Sequence, residues 1–132
     1  MREAIGALIV KQQMILFGKR AVDRDFYPNV WDVFGGHMEP GESYEETLER
    51  ELYEELGIRP TVWDYLATFR EPDPDQYGEG QYHFCIVTAW TGTLTNRHPE
   101  EHDEIQWFSF AEAIQLELPH PVYYELLARL VS

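Results

Sequence analysis

The chain has 132 residues, of which 44% are hydrophobic and 14% aromatic, and its formal net charge is −14. The length suits one domain, residues 1–132, and the composition is globular rather than disordered. So acidic a chain is a poor fit for sequence-independent binding to nucleic acid, which relies on Lys and Arg at phosphates. If its partner is an anion, another group must supply the positive charge.

The N-terminal third predicts strands rather than a membrane anchor. EAIGALIV and MILFGK, joined by the polar KQQ, predict a β-hairpin. The apolar run AIGALIV is too short to span a membrane, and no cleavage-like site follows it. The loop AVDRDFYPN comes next, and the β-like run VWDVF then leads into Gly35-Gly36.

A loop with Pro40 and Gly41 precedes the central helix, which the capping signals place at Tyr44 to Leu56. Ser43 and Glu46 have capping-box spacing, and Gly57 suits the left-handed position after the last turn. The buried stripe is predicted to consist of Leu48, Leu52 and Leu56.

Residues 61–70 and 81–91 predict strands, separated by the Pro-, Gly- and acid-rich loop 71–80. Cys85, the single cysteine, excludes an internal disulfide; a buried small hydrophobe is its expected role and a nucleophile the alternative. We therefore expect a soluble protein in a reducing, cytoplasmic setting.

A second acidic loop, NRHPEEHDE, precedes the short strand IQWF, and a capping box at Ser109 and Glu112 predicts a short helix. Pro121 then opens an amphipathic helix whose apolar side consists of Val122, Tyr123, Leu126, Leu127 and Leu130. Mixed strands with a central and a terminal helix predict an α/β or α+β sandwich around a mixed sheet.

The central helix carries charge that does not help its stability. Residues 39–55 contain eight acids and one base, half of the net charge. Glu51, Glu54 and Glu55 fall on one face, where like charges at i, i+4 repel by about 0.2–0.5 kcal/mol. Glu54 and Glu55 also lie in the last turn, where the helix dipole favours cations. Such a face is either a solvated acidic surface or a functional site.

Carboxylates on one rigid face suit hard divalent cations such as Mg²⁺, which typically join a carboxylate cluster to substrate phosphates. Such an ion would also supply the missing positive charge. The five histidines show no zinc-type clustering, and no Walker-type Gly-Lys-Ser/Thr loop is present.

The segment from Gly36 to Ile58 resembles the complete signature of the Nudix hydrolases. Gly36 is followed after five residues by Glu42, and after seven more by RELYEELGI, residues 50–58. Every fixed position of this 23-residue motif is met. The motif is specific for fold and reaction and weakly specific for substrate.

The resemblance, which is to MutT-like members, implies an α/β/α sandwich around a mixed sheet. It implies hydrolysis, dependent on Mg²⁺ or Mn²⁺, of a nucleoside diphosphate linked to another moiety. By the same resemblance the metal ligands are Glu51, Glu54, Glu55 and the Gly35 carbonyl, with Glu51 as the general base. Arg50 would orient a glutamate by ion pairing, and Glu42 would support the loop or a water. The Gly35-Gly36 pair would let backbone approach metal and phosphate closely.

The family often recruits a further glutamate from a downstream loop. PEEHDE offers Glu100, Glu101 and Glu104, of which Glu101 is our first choice, and a solvated acidic loop is the alternative.

Phe26, Tyr27 and Trp31 could stack on a base or be core and rim aromatics. His37 could contact a phosphate, act in acid/base chemistry or be a bystander. We expect substrate selection in loop 71–80.

The leading functional hypothesis is hydrolysis of normal or oxidised (d)NTPs to nucleoside monophosphates. Within the same reaction class, ADP-ribose and nucleotide sugars are the alternative substrates. A non-enzymatic alternative is a non-catalytic nucleotide-binding module. Such a module is expected to have lost signature glutamates, whereas this chain keeps them. The expected partner is a small nucleotide, with no nucleic acid and no membrane, and the chain is expected to be a monomer or homodimer.

Overall fold

The computed structural model describes residues 1–131, which form a mixed β-sheet with helices packed on both faces. This confirms the predicted α/β fold. The elements are β1 (Arg2–Lys11), β2 (Met14–Arg20), β3 (Trp31–Asp32), β4 (Phe34–His37), α1 (Tyr44–Leu56), β5 (Arg59–Arg70), α2 (Pro74–Tyr77), β6 (Gly80–Thr91), β7 (His102–Ser109), α3 (Phe110–Ala113) and α4 (Val122–Val131).

The sheet has the strand order β3-β2-β1-β6-β5, with β4 paired to β1 and β7 paired to β2. The β1–β6 pair is parallel, and the other pairs are antiparallel. β1 and β2 form the predicted hairpin, whose turn residues Gln12 and Gln13 both have positive φ, 53° and 63°. Positive φ at both central positions is typical of the tight turns that match strand twist.

Strand β1 is buried on both faces because it lies between the two helical layers. Its Ile5, Ala7 and Ile9 belong to the same cluster as the leucines of α1, whereas Leu8 belongs to the cluster of α4. Side chains alternate across a strand, so one apolar strand supplies both cores. The predicted stripe of α1, Leu48, Leu52 and Leu56, is fully buried.

Helix α1 begins and ends where the capping residues predict. The Ser43 side chain accepts from the Glu46 backbone N–H, and Glu46 accepts in return from the Ser43 N–H. Gly57 ends the helix with a φ of 73°. The caps fix the ends of α1, and its buried leucine stripe orients it on the sheet.

The structure differs from the expected elements in three places. Gly35 and Gly36 lie inside strand β4 rather than after a strand, because they pair with Gly6 and Ile5 of β1. Loop 71–80 contains the short helix α2, capped by Asp73. The second acidic loop ends earlier than expected, since Glu104 lies in β7 and pairs with Lys19.

Among residues 1–131, no helix combines the length and the apolar character that a membrane crossing requires.

Candidate active site

A cleft of about 460 Å³ opens between α1, β4 and the loops that follow β2 and precede α4 and β7. Its walls separate by chemistry into three groups. The acidic wall includes Glu51, Glu54, Glu55 and Glu101, and Asp32 and Glu39 also line the cleft; the aromatic wall has Phe26, Tyr27, Tyr82, Phe84, His120 and Tyr123; the arginines are Arg2, Arg20, Arg24 and Arg50. The volume is within the usual range for small-molecule sites.

Arg50 connects the acidic wall to the loop before α1. Its guanidinium donates to both carboxylate oxygens of Glu42 at 2.9 Å and to Glu51 Oε1 at 2.8 Å. It also donates to the His37 carbonyl at 3.0 Å and lies 3.8 Å from Glu54 Oε2. The bidentate contact lowers the pKa of Glu42 to about 2. Arg50 therefore fixes Glu51 while it offsets the charge of three glutamates.

Glu51 and Glu55 are carboxylates held out of water. Glu55 is only 7% exposed and accepts from the Gly35 backbone N–H at 3.3 Å. Burial, followed by the charge of Glu51, raises the pKa of Glu55 well above its ordinary value. Burial also raises the pKa of Glu51, although Arg50 opposes this change. Glu54 is half exposed at the rim of the cleft.

Glycine is needed where β4 passes the acidic wall. A Cβ at Gly36 would lie 2.5–2.6 Å from the carboxylate atoms of Glu51, so the strand backbone and this carboxylate are in close contact. A Cβ at Gly35 would lie 1.9 Å from the Ile5 carbonyl oxygen, and its φ of 148° also disfavours a side chain. The atoms near Gly36 and Glu51 that could bind a metal are oxygens, and oxygens are the ligands that Mg²⁺ and Mn²⁺ prefer. The residues present therefore fit a hard divalent cation.

Glu101 is the downstream glutamate that faces α1. It lines the cleft, and its charge acts on both Glu51 and Glu55. In the described part of the chain, one set of three His, Cys, Asp or Glu side chains has ligand atoms within 4.8 Å of one another, and it consists of His98, Glu100 and Glu101. Among the described residues, Glu51, Glu54 and Glu55 do not form such a set. Glu100 and Glu104 do not line the cleft.

Phe26, Tyr27 and His37 all line the cleft, whereas Trp31 does not. Phe26 packs edge-on against His37, with ring centroids 6.2 Å apart. The rings of Phe26 and Tyr27 also contact Tyr77 of α2. Trp31 instead packs on Phe108 in the core, which agrees with its alternative role. Loop 71–80 thus touches the aromatic wall through Tyr77.

Several cleft residues have no local sequence signal. Asp32 is paired with Arg20 at 3.3 Å and accepts from the Tyr123 hydroxyl at 2.6 Å. His120 lies among tyrosines from three separate segments. These groups come from distant positions, so only a long-range contact map or aligned relatives could have indicated them.

Comparisons with known proteins agree with this geometry. The model of the NUDIX domain family matches residues 1–130. The chain is 35% identical to the CTP pyrophosphohydrolase of Escherichia coli K12, over 89% of this chain and 83% of that protein. It is 30% identical to the nucleoside triphosphatase NudI of E. coli K12, over 95% of this chain and 88% of that protein. The crystal structure of a MutT NUDIX hydrolase from Burkholderia pseudomallei superposes with a TM-score of 0.78 at 28% identity, covering 91% of this chain and 88% of that one.

Proposed function

Because the chain belongs to the Nudix family, we propose that it is a pyrophosphohydrolase that converts (deoxy)nucleoside triphosphates, normal or oxidised, to nucleoside monophosphates. Residues 1–132 would form one catalytic domain. The names of the two E. coli relatives, a CTP pyrophosphohydrolase and a nucleoside triphosphatase, support this substrate class. The cytoplasmic location and the monomer or homodimer state stay predictions.

The proposal depends on one observation about charge. In the described part of the chain, every arginine that lines the cleft is already paired with a carboxylate, so none is free to bind a phosphate. Among residues 1–131, each arginine that lines the cleft lies within 4.0 Å of a carboxylate, and no lysine lines it. The pairs are Arg2–Glu71, Arg20–Asp32, Arg24–Glu101 and Arg50–Glu42. A diphosphate would therefore meet a net acidic wall, which is unfavourable without a cation.

Mg²⁺, with Mn²⁺ as a substitute, is the cation that suits this wall. Glu51, Glu54, Glu55, Glu101 and the Gly35 carbonyl would hold it. When bound, such an ion supplies positive charge that offsets the carboxylates and the substrate phosphates and favours ionisation of water.

Glu51 is the residue we assign as general base. Its carboxylate is held by Arg50 and lies against the β4 backbone at Gly36, which gives it the fixed position that a general base requires. It would take one proton from the attacking water. The water oxygen forms a bond to a phosphorus of the diphosphate bridge as the bridging oxygen leaves. For a triphosphate, the products are then a nucleoside monophosphate and pyrophosphate.

Arg50 and Glu42 position this base and do not themselves react. Arg50 donates a hydrogen bond of 2.8 Å to one oxygen of Glu51. Glu42 accepts a second hydrogen bond from the same guanidinium and so fixes its orientation. Phe26 and Tyr27, which also line the cleft, would contact the base or sugar of the substrate. His37 would contact a phosphate.

The test is a panel of normal and oxidised (d)NTPs, ADP-ribose, nucleotide sugars and dinucleoside polyphosphates, ranked by kcat/KM with Mg²⁺. We expect a triphosphate to rank first. On the best substrate, Glu54→Gln should lower kcat by about 10²-fold or more, because it removes a proposed ligand of the charge-stabilising ion.

Glu49→Gln on the same helix is the matched control, since Glu49 is exposed and lies outside the cleft. It should retain wild-type activity. Wild-type Mg²⁺-dependent release of nucleoside monophosphate by Glu54→Gln would show the ligand assignment to be wrong. A preference for ADP-ribose over all triphosphates would contradict the substrate class, and inactivity on the whole panel would favour a non-catalytic module.

A further inference from the structure

His120, which lines the cleft, carries a buried and unsatisfied polar atom. Its side chain lines the cleft, yet the residue is only 7% exposed. Within residues 1–131, its Nδ1 is the one buried side-chain nitrogen or oxygen without a hydrogen-bond partner. Leaving such an atom unpaired costs free energy, so native structures rarely contain one without a reason.

The groups around His120 cannot donate to this nitrogen. Its imidazole ring lies 4.8 Å from the ring of Tyr123, 5.6 Å from that of Tyr27 and 5.9 Å from that of Tyr82, measured between centroids. Each of these tyrosines has a single hydroxyl hydrogen. Tyr27 and Tyr82 donate theirs to Glu71, and Tyr123 donates its own to Asp32.

The acceptors of those hydroxyls make the arrangement rigid. Glu71 is buried and also accepts from the Asp73 backbone N–H at 3.0 Å. Asp32 also accepts from the Val33 backbone N–H at 2.8 Å. Rotating a tyrosine hydroxyl toward His120 would therefore break a bond to a carboxylate, which is among the stronger hydrogen bonds in proteins.

The chemistry around His120 favours a neutral, planar and polar group. Burial lowers the pKa of His120, so its imidazole is neutral near pH 7. The nearby arginines of the described chain, Arg2 and Arg20, are paired with Glu71 and Asp32, so they leave no uncommitted cation here for a phosphate. Aromatic faces, by contrast, are suited to stacking on a nucleobase.

We propose that His120 is a specificity-determining residue that hydrogen-bonds, through Nδ1, to the polar edge of the substrate's nucleobase. The inference rests on the proposed function, because it requires a nucleotide in the cleft. A neutral imidazole can accept from an amino edge or donate to an oxo edge, according to its tautomer. Cytosine and adenine present an amino group, and uracil and guanine present an oxo group.

The test is His120→Phe, which keeps an aromatic ring and removes both nitrogens. Binding of the nucleoside monophosphates CMP, UMP, AMP and GMP is measured by calorimetry in EDTA, so this readout needs neither metal nor turnover. The preferred monophosphate should bind about 10- to 100-fold more weakly to the variant, and the preference among the four should shrink. Whether the preferred pair is CMP and AMP or UMP and GMP identifies the edge that is read.

Ribose 5-triphosphate, which has no base, separates base recognition from damage to the site. Its kcat/KM should change less than about twofold in His120→Phe, whereas kcat/KM for the preferred triphosphate should fall by about 10-fold or more. His120→Asn, which keeps a donor and an acceptor, should recover part of the loss and guards against misfolding of the Phe variant.

Equal losses on the base-containing and base-free substrates would overturn the proposal, because His120 would then support the site as a whole. Unchanged binding and selectivity in both variants would also overturn it, since a water would then be the partner of Nδ1. A wild type that hydrolyses no triphosphate but binds a monophosphate in a His120-dependent way would contradict the proposed function and leave the base contact standing.

Discussion

Arg50 illustrates how one side chain organises the charge of the site at the scale of a residue. It makes a bidentate contact with Glu42 and a single contact with Glu51, and its side chain is 26% exposed. A lysine could not reproduce this planar, forked geometry. Because the guanidinium holds one oxygen of Glu51, the direction of the proposed base depends on Arg50.

Arg50→Ala should lower activity more than stability. We expect kcat/KM to fall by about 10²-fold, because a misplaced catalytic group loses about that much. The free energy of unfolding should fall by only about 1–2 kcal/mol, as the contacts are partly exposed. In the variant, the pKa of Glu42 should return from about 2 toward its ordinary value of 4.5, measured by NMR titration.

Arg70→Ala, which removes an exposed arginine, is the control for loss of positive charge. Intact activity in Arg50→Ala together with a large drop in Tm would indicate a structural role and contradict the positioning role.

At the scale of elements, strand β4 brings the backbone to the helix carboxylates. β4 pairs with β1 on one side, and its Gly36 faces Glu51 of α1. The capping box at Ser43 fixes the first turn of α1, so the position of Glu51 along the strand is defined. The two glycines serve different purposes, because one faces a strand and the other faces a carboxylate.

Gly35→Ala and Gly36→Ala should therefore fail in different ways. A methyl group at Gly35 would clash with the Ile5 backbone, so the free energy of unfolding of this variant should fall by about 2–4 kcal/mol. A methyl group at Gly36 meets the end of the flexible Glu51 side chain, so the fold should survive while kcat falls by about 10-fold or more.

Thermal unfolding and steady-state kinetics on both variants check this expectation. Retention of full activity by Gly36→Ala would mean that Glu51 does not need its observed position. A normal Tm for Gly35→Ala would contradict the assigned strand contact.

At the scale of the whole molecule, the site is a source of instability. The chain has a net charge of −14, and its most buried cleft glutamate, Glu55, has a carboxylate as neighbour. Burying a carboxylate without a cationic partner costs several kcal/mol. A protein selected only for stability would not place this charge on the buried side of a helix whose other carboxylates already repel one another, which is consistent with a site maintained for function.

Glu55→Gln should raise Tm in EDTA at neutral pH while it lowers activity. The raised pKa of Glu55 means that the folded state binds its proton more tightly than the unfolded state does. The contribution of Glu55 to the free energy of unfolding is therefore most favourable below the unfolded-state pKa of about 4.5, where the residue is protonated in both states. This contribution is lost as pH rises through the folded-state pKa. The advantage of the variant should be small at pH 4 and grow toward pH 7, to about 1–3 kcal/mol.

The measurement is Tm against pH, with and without Mg²⁺. Wild-type Tm should rise with Mg²⁺, because an ion that binds the folded state stabilises it, and the rise should be smaller in the variant. Glu49→Gln should shift Tm little. A variant less stable than wild type across the whole pH range would contradict the account of Glu55 as a buried, unfavourable charge.

Local patterns were sufficient for much of this protein. The caps and leucine spacing of α1 depend on residues three or four apart, and these were correctly predicted. The same holds for the hairpin, whose turn is two residues long. The strand position of Gly35-Gly36 was not predicted, because pairing with β1 involves a partner about thirty residues away, and a double glycine by itself indicates a loop.

The sequence by itself determined the family, the fold class and the acidic face of α1, because each follows from short-range spacing of residue types. Only the tertiary structure decided which of the downstream glutamates faces that helix, how the cleft arginines are paired, and that His120 lacks a partner for Nδ1. Those properties depend on contacts between β2, β6, β7 and the segment before α4. Side chains so far apart in sequence have no fixed distance until the sheet and both helical layers are in place.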